Sequence, residues 1–410
     1  MTWARDLSAD GWLLFATCWM RNFAYGFLSV IFGLYLISLG LHVAAVGAIV
    51  TAVLAGGAAL TLVLTSFADR VGRRLVLMAG AVLMAISGAA FAWTSQPALL
   101  TAAAILGSMS PSGKDVGPFL SIEQAILPQT SAPARRTELF AAYNIVNYIA
   151  TAMGAAIAGA PSIVGIPVQD GFRLLFLAYA VVGVLLLALF ARLSPMAEAQ
   201  EVTRVATSRL FGLQRSRGVV AKLAALFALD SFAGGFVVQS LIAVWFSLRF
   251  GAGPGTIGAI FFGTNLLAGA SFLAAAPLAR RFGLLNTMVF THLPSNVLLL
   301  FVPLMPTVEL AVAVLLVRFL LSQLDVPTRQ SYTMAIVDPS ERAAAGGILA
   351  VSRNAAAALA PLFAGATLSL PVLGLPFLLA GGLKILYDLA IFQTFRRVRP
   401  PEEQTVPSRA

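Results

Sequence analysis

Long apolar runs alternate with short polar turns along the whole of this chain. An α-helix needs about 20 mostly apolar residues to cross a lipid bilayer, and each run reaches that length. The runs are also unbroken, unlike the short alternating segments of a membrane β-barrel. The pattern therefore predicts an all-α integral membrane protein with about twelve membrane-spanning helices. The predicted spans are residues 11–39, 44–66, 74–95, 98–127, 138–160, 173–193, 219–249, 255–279, 284–303, 308–335, 342–370 and 373–395.

The composition agrees with that prediction. Hydrophobic residues make up 59% of the 410 residues and charged residues only 11%, whereas a soluble domain carries roughly 25% charged residues. The net charge of +10 resides mainly in the loops, where anionic lipid headgroups explain it better than nucleic acid does. A single cysteine excludes a disulfide framework, and His42 and His292 are isolated in the sequence. We therefore expect no metal site, no cofactor and no nucleic-acid partner.

Arginine and lysine fall in alternate loops, and the opposite loops have almost none. The basic loops carry Arg70, Arg73, Arg74, Arg135, Arg136, the cluster from Arg204 to Lys222, Arg280, Arg281, Arg342, Arg396, Arg397 and Arg399. Short loops rich in these residues stay in the cytoplasm, so both chain termini are predicted to be cytoplasmic. Residues 1–10 do not resemble a cleaved secretory signal. Abundant alanine and arginine indicate a bacterial source, and we expect a multi-pass protein of the bacterial inner membrane.

The sequence divides into two halves at a polar segment without apolar periodicity. The predicted domains are residues 1–193, an N-terminal six-helix half; 194–218, a cytoplasmic linker; 219–398, a C-terminal six-helix half; and 399–410, a cytoplasmic tail. The halves repeat one another, because the segment from Arg21 to Phe27 matches the segment from Asp230 to Phe236. A duplicated six-span unit is typical of transporters whose binding site lies between the repeats.

A dense polar turn, Asp69-Arg70-Val71-Gly72-Arg73-Arg74, follows the second span. Gly72 permits a tight reversal, and the Asp69 carboxylate could accept hydrogen bonds from a helix N-terminus or pair with an arginine. This turn resembles the loop 2–3 signature of the major facilitator superfamily, although Thr65 stands where the family usually has glycine. The resemblance implies two pseudo-symmetric six-helix halves around a central cavity. It also implies a conformational latch formed by Asp69, Arg70, Gly72, Arg73 and Arg74.

Several ionisable residues lie inside the predicted spans, where charge is costly and a functional role is the first hypothesis. The resemblance implies that spans 1, 4, 7 and 10 line the cavity, and most of these charges fall on those spans. The candidates for proton coupling are Asp230, Glu123, Asp115 and Asp325. The candidates for the substrate cavity are Arg21, Lys114, Arg353, Arg329, Tyr25, Asn144, Asn147, Gln239 and Asn265. We further predict that Arg21 faces Asp230 across the repeat.

Other interpretations of these residues stay open. Asp325 and Arg329 have i, i+4 spacing and, on the alternative interpretation, form a structural ion pair only. Lys384 and Asp388 have the same spacing, and we expect them to satisfy each other on a peripheral span. In span 4, the segment from Ser110 to Pro118 contains two prolines and two glycines. Its freed backbone groups either help to bind a solute or form a hinge.

The expected function is transport without catalysis. The sequence has no Gly-Lys-Ser/Thr phosphate loop and no Ser/His/Asp or metal constellation, so we expect neither ATP-driven transport nor an enzyme. Span 5 ends in the segment from Gly154 to Pro161, which is loosely similar to the Gly-Pro-ended motif of drug exporters, with Ala160 replacing a glycine. We therefore expect a monomeric secondary transporter that exports a small organic or toxic compound by alternating access, coupled to protons. The alternatives are import or exchange of a small organic anion, an arsenical-type resistance permease, and a non-transporting membrane receptor.

Overall fold

The structure, a computed structural model, describes residues 7–114, 117–131, 136–198 and 213–398, without the side chains of residues 69, 136, 137 and 343. The predictions for Asp115, for the centre of the linker and for the tail lie outside the described residues, as does the Asp69 side chain. Every regular element within the described ranges is a helix.

The helices are numbered in chain order. They are α1 (Ala9–Ser38), α2 (Val43–Val71), α3 (Arg73–Trp93), α4 (Pro97–Leu106), α5 (Pro118–Ile126), α6 (Arg136–Ala156), α7 (Ala160–Ile163), α8 (Val168–Phe190), α9 (Arg217–Gly235), α10 (Gln239–Phe250), α11 (Pro254–Phe282), α12 (Leu284–Phe301), α13 (Val308–Ser322), α14 (Asp325–Ile336), α15 (Arg342–Leu368) and α16 (Leu375–Phe395). Short 3-10 turns cover Leu127–Gln129, Ile157–Gly159, Pro195–Ala197, Val302–Leu304 and Pro339–Glu341.

In the ranges that the structure describes, 11 helical segments are long and apolar enough to cross a membrane. Each corresponds to one predicted span, and the ends agree to within a few residues. The remaining predicted span, residues 98–127, is divided into α4 and α5 by an irregular segment. The all-helical membrane architecture is therefore confirmed, together with the break that the prolines and glycines of span 4 predicted.

Two further spans are interrupted, which the sequence analysis did not predict. Span 7 is divided between α9 and α10 at residues 236–238, immediately after Gly234 and Gly235. Span 10 is divided between α13 and α14 at residues 323–324. Pro327 lies in the first turn of α14, where its missing N–H is tolerated; further inside a continuous helix its ring would clash with the preceding turn.

The chain packs as two compact units. Unit 1 comprises Met1–Thr203 and Val238–Leu266, and unit 2 comprises Arg204–Val237 and Leu267–Ala410, as far as these ranges are described. Unit 1 thus includes α10 and the first part of α11, which belong to the C-terminal half of the sequence. The division of the chain at the linker stays a prediction.

Close helix contacts hold unit 1 together. Most of α1 is buried, and α1 packs against α6, α8 and α10. Glycines allow the shortest approaches: a Cβ on Gly26 would overlap the carbonyl oxygen of Thr151, and a Cβ on Gly154 would overlap that of Phe23. Small residues of this kind let helix backbones approach closely where lipid provides no hydrophobic driving force. The contact between α1 and α6 therefore depends on both glycines.

Unit 2 is organised around α9, α12 and α16. The first of these packs against α15 and α16, and α12 packs against α13, α14 and α16. Phe227, Met288, Tyr332, Tyr387 and Phe395 belong to one hydrophobic core cluster. The buried faces of α9, α12, α14 and α16 also carry ionisable side chains, which brings such groups from four helices together.

Candidate functional site

A buried ion pair joins α1 and α5 in unit 1. Arg21 and Glu123 are fully buried, and their side chains meet as a fork. Arg21 Nη1 donates to Glu123 Oε1 at 2.8 Å, and Arg21 Nη2 donates to Glu123 Oε2 at 2.7 Å. Such a bidentate pair satisfies both charges away from water. The structure thus brings together two residues that were predicted separately, Arg21 for the cavity and Glu123 for proton coupling.

Neighbouring side chains complete this pair. Thr17 lies one turn before Arg21 on the same face of α1, and its hydroxyl lies 2.9 Å from Glu123 Oε1. The Tyr143 hydroxyl of α6 donates a short hydrogen bond to Glu123 Oε2. The Arg21 guanidinium lies 5.0 Å from the centre of the Phe119 ring. Thr17 and Tyr143 were not predicted from the sequence. The i, i+4 spacing of Thr17 and Arg21, which places both on one face of α1, could have indicated Thr17.

The irregular segment between α4 and α5 is the second polar feature of unit 1. Gly113 and Gly117 have φ angles of 67° and 94°, which residues with a Cβ rarely adopt. The Pro111 carbonyl, which lies outside any helix, accepts the backbone N–H of Ser240 from α10 at 3.0 Å. This backbone group is therefore satisfied by another helix of the same unit, as the interior of a membrane protein requires.

Two amide side chains predicted for the cavity meet beside this segment. Gln239 Nε2 donates to Asn265 Oδ1 at 3.1 Å, and Asn265 Nδ2 donates to the Phe261 carbonyl at 2.8 Å. Gln239 Oε1 is buried, lies against Gly113 and has no hydrogen-bond partner in the part of the chain that the structure describes. The amide pair thus presents a buried acceptor next to the broken span.

The remaining candidates of unit 1 occupy different surroundings. Tyr25 is fully buried, and its ring packs against Tyr179 with the ring centres 6.4 Å apart. Lys114 and Asn144 are exposed, and Asn147 is half-buried. Tyr25 therefore has a packing role inside unit 1, and a substrate role for these four residues stays a prediction.

Asp230 is the centre of a second ion cluster, which lies in unit 2. Its Oδ1 lies 2.5 Å from Lys384 Nζ, and its Oδ2 lies 2.9 Å from Arg329 Nη1. Arg329 also contacts Asp325 of its own helix at 3.3 Å. All four side chains are buried, so α9, α14 and α16 are tied together by charges that water screens little. Lys384 was not among the predicted site residues, whereas the other three were.

A histidine extends this cluster to α12. His292 Nδ1 lies 2.8 Å from Asp388 Oδ1, and His292 Nε2 lies 3.9 Å from Asp230 Oδ1. Asn296, one turn further along α12, donates to Asp388 Oδ2 at 2.8 Å. One prediction is therefore wrong: Lys384 and Asp388 do not satisfy each other, because each reaches a different helix. His292, which is isolated in the sequence, has carboxylate neighbours in space.

Two further arginines lie near this cluster without a carboxylate within ion-pair distance among the described residues. Arg318 of α13 is buried, and its Nε has no hydrogen-bond partner in those residues. Arg353 of α15 is half-buried and donates to Ser231 Oγ at 3.3 Å. Arg353 was predicted as a cavity residue, whereas Arg318 was missed. A lone arginine within an apolar run was the signal that could have found it.

The predicted pair of Arg21 and Asp230 is replaced by two separate sets of contacts. Arg21 is bound to Glu123 in unit 1, and Asp230 is bound to Arg329 and Lys384 in unit 2. Arg21 and Asp230 thus each have an opposite charge within their own unit. A partner across the repeat is therefore not needed to neutralise it.

The basic turn after α2 binds a carboxylate from the start of the linker. Glu198 accepts the backbone N–H of Arg73 at 2.6 Å and that of Arg74 at 3.2 Å, at the N-terminus of α3. The Arg74 guanidinium also donates a short hydrogen bond to the carbonyl of Ala191, just after α8. An anion at a helix N-terminus is favourable because the first N–H groups there lack partners. Glu198 thus has the position at a helix end that was considered for Asp69.

The structure also describes two other residues of this turn, Gly72 and Arg70. Gly72 has a φ angle of 110°, which explains why glycine stands at the reversal between α2 and α3. Arg70 is exposed. The role of the turn as a conformational latch stays a prediction.

A second carboxylate holds the other end of the linker, in unit 2. Glu341 accepts the backbone N–H groups of Gln214, Arg215 and Ser216 at 2.5, 2.9 and 2.8 Å. These donors stabilise the ionised form and lower the pKa of Glu341 from 4.5 to about 2. The linker is therefore held by one glutamate at each end, Glu198 in unit 1 and Glu341 in unit 2.

Comparison with known proteins agrees with this architecture. Residues 14–326 match the family model described as Major Facilitator Superfamily. The chain is 27% identical over 418 residues to the uncharacterised membrane protein YJR124C of Saccharomyces cerevisiae, a match that covers 94% of this chain and 93% of the yeast protein.

Two solved structures of transporters have a similar fold. The nucleoside transporter NupG matches with a TM-score of 0.73 and 17% identity, over 95% of this chain and 100% of that one. The D-xylose-proton symporter matches with a TM-score of 0.73 and 17% identity, over 93% of this chain and 97% of that one. At such identities the likeness concerns the fold alone. The family model, in contrast, matches most of the sequence, and the chain therefore belongs to the major facilitator superfamily of membrane transporters.

Proposed function

We propose that this protein is a proton-coupled secondary transporter that exports a small organic or toxic compound by alternating access. The observation that carries the proposal is the buried Asp230 carboxylate, held between Lys384 and Arg329. A buried carboxylate stays ionised while cations are close to it, and burial otherwise favours its protonated form. A movement that withdraws these cations would therefore favour uptake of a proton by Asp230.

The Arg21–Glu123 pair supports the same proposal for unit 1. Among the described residues, Glu123 has one contacting cation, Arg21, and two hydroxyl neighbours, Thr17 and Tyr143. Withdrawal of Arg21 would leave hydroxyl groups that a protonated Glu123 can still contact. Glu123 is therefore the second proposed coupling acid, after Asp230. Asp325 and Asp115 are candidates of lower rank.

Export is favoured by the resemblance of span 5 to the exporter motif. Its glycines stand at close helix contacts: Gly154 lies against Phe23 of α1, and a Cβ on Gly159 would overlap Gly255 of α11. Glycines at such contacts let helix backbones approach closely. We propose that span 5 moves against its neighbours at these contacts during transport.

The proposed location is the inner membrane of a bacterium, with both termini in the cytoplasm. It is supported by the alternation of basic loops along the sequence. On this topology the turn at Gly72, Glu198 and Glu341 lie on the cytoplasmic side. We propose a monomer that needs no protein partner for transport.

The names of the matched structures are consistent with small polar substrates. One of those proteins is a nucleoside transporter and the other is a D-xylose-proton symporter. The second name combines a small organic solute with a proton. This name supports proton coupling within the superfamily.

The test uses purified protein in liposomes that contain a pH-sensitive dye. A panel of cationic, anionic and neutral organic compounds is added, and the parent protein is compared with Asp230→Asn and Glu123→Gln. Proton movement that depends on one compound and is lost in a variant supports the proposal, and its sign distinguishes export from import. Substrate movement without protons would contradict it, and so would the absence of movement of any compound.

A second candidate function, transport of a small organic anion, is favoured by Arg318 and Arg353. Both guanidinium groups lie near the Asp230 cluster without a contacting carboxylate among the described residues. A buried cation of this kind is costly unless an anion joins it. If the substrate is an anion, Arg318→Gln should abolish its transport and leave a neutral or cationic compound unaffected.

A further inference from the structure

His292 is placed between two carboxylates from different helices. Its Nδ1 lies 2.8 Å from Asp388 Oδ1 on α16, and its Nε2 lies 3.9 Å from Asp230 Oδ1 on α9. The His292 side chain is 6% exposed and that of Asp388 only 1%. A neutral imidazole carries one N–H, and only the doubly protonated ring can present an N–H to both carboxylates.

The two carboxylates differ in their partners. Asp230 is contacted by Lys384 and Arg329, whereas Asp388 contacts His292 and Asn296 and no fixed cation among the described residues. An ionised, buried Asp388 therefore has one neighbour that can neutralise it, a protonated His292. The Asn296 amide nitrogen donates to the second carboxylate oxygen and also lies 3.1 Å from His292 Nδ1, so Asn296 holds Asp388 and the imidazole side by side.

Charged and titratable groups surround this pair on the neighbouring helices of unit 2. They are Asp230 of α9, Arg318 of α13, Asp325 and Arg329 of α14, Arg353 of α15, and Lys384, Tyr387 and Asp388 of α16. Arg329 and Lys384 are bound to Asp230, and Arg353 is bound to Ser231. None of these four arginine and lysine side chains contacts Asp388 within the described residues, so the charge of Asp388 is left to His292.

We propose that His292 and Asp388 form the binding site of the transported proton, with the proton on the imidazole and Asp388 ionised. This inference rests on the proposed proton-coupled function and names a site for the proton that the sequence analysis did not consider. In the present conformation Lys384 occupies Asp230 Oδ1, which keeps that oxygen from taking the proton.

The geometry also gives the proton a path. Lys384 and Asp388 are one turn apart on α16, and a change of the Lys384 side-chain rotamer alone would free Asp230 Oδ1 while Asp388 stays beside His292. When Lys384 leaves Asp230, the Nε2–H of His292 can pass its proton to Asp230 Oδ1, and His292 keeps its Nδ1–H towards Asp388. The proton then lies on Asp230, the imidazole is neutral, and no other group changes its protonation.

The chain has only two histidines, which makes a direct test practical. In the His42→Asn protein, labelled with ¹⁵N-histidine and reconstituted in lipid nanodiscs, every histidine signal comes from His292. His42 is exposed before α2, so its replacement leaves the site intact. We expect ring signals with both nitrogens protonated at pH 7. A ring with one N–H at this pH would overturn the inference.

Transport in liposomes provides the second arm. We expect the rate of compound-driven proton movement to be at least ten-fold lower in His292→Gln than in the parent. Asp388→Asn should show a similar reduction, and His42→Gln should match the parent. Proton movement equal to the parent in a folded His292→Gln protein would overturn the inference while leaving the proposed function standing. If the parent moves no protons, the proposed function fails, and the ring signals still decide whether His292 holds a proton.

Discussion

Lys384 Nζ lies 2.5 Å from Asp230 Oδ1, and this contact joins α16 to α9 inside unit 2. Arg329 holds the other carboxylate oxygen at 2.9 Å. Removing one partner of a buried ion pair leaves an uncompensated charge, which costs about 3–5 kcal/mol. We therefore expect Asp230→Asn to lower the free energy of unfolding by about that amount, measured by chemical denaturation in detergent.

A double variant separates the pair from its surroundings. Lys384→Met alone leaves Arg329 to neutralise Asp230, so we expect a smaller loss than for Asp230→Asn. In Asp230→Asn/Lys384→Met the loss should be smaller than the sum of the single losses, because both charges of one contact are removed together. Additive losses would mean that the two side chains are not energetically coupled.

Arg21 and Glu123 are predicted to depend on the shape of the fork as well as on its charge. Arg21→Lys keeps the positive charge but cannot make two parallel hydrogen bonds to Glu123. We expect this variant to melt at a lower temperature than the parent, with a loss of stability of about 1.5–3 kcal/mol, the net contribution of one hydrogen bond to a charged group. Arg21→Met should lose more. Equal melting temperatures for Arg21→Lys and the parent would contradict the buried bidentate geometry.

The close contact between α1 and α6 gives a prediction with a matched control. In Gly154→Ala the new methyl group would overlap the Phe23 carbonyl, so the helices must separate, at a cost of about 1–3 kcal/mol or more. Gly57 also lies in a helix, but nothing lies within 4 Å of a Cβ placed on it. Gly57→Ala should therefore be neutral or slightly stabilising. Thermal unfolding of both variants provides the measurement.

The lowered pKa of Glu341 leads us to expect that the stability of unit 2 depends on pH. Its pKa is lowered from 4.5 to about 2 by the backbone donors of Gln214, Arg215 and Ser216. The unfolded chain thus binds the proton more readily, and the stabilisation from Glu341 is complete above about pH 4.5 and is lost as the pH falls towards 2. The difference in melting temperature between the parent and Glu341→Gln should therefore shrink over that interval. A difference that does not change with pH would rule out ionisation as its source.

Much of the fold could be predicted from the sequence because membrane helices leave a strong local signal. The length of the apolar runs fixed their number, and Pro111 and Pro118 marked the break in span 4. The breaks in spans 7 and 10 were missed because glycine and proline, the residue types of Gly234, Gly235 and Pro327, are also tolerated inside continuous membrane helices. Local composition does not decide between the two outcomes.

The candidate site was predicted residue by residue but not pair by pair. Asp230, Glu123 and Arg21 were found because each is a charge inside an apolar span. Their partners depend on which helices pack together, and i, i+4 spacing assigned Lys384 to Asp388 incorrectly. A lysine side chain is long enough to reach a neighbouring helix, and α9 offered Asp230 as a closer acid.

Proton-coupled transport through Asp230 is tested best by the number of protons moved per substrate molecule. Both fluxes are followed in the same liposomes, with a pH-sensitive dye and the labelled compound found in the panel, for the parent and for Asp230→Asn. The account predicts a fixed ratio in the parent and, in Asp230→Asn, proton movement at the background of empty liposomes even if some compound still crosses. An unchanged ratio in the variant, or compound movement without protons in the parent, would contradict it.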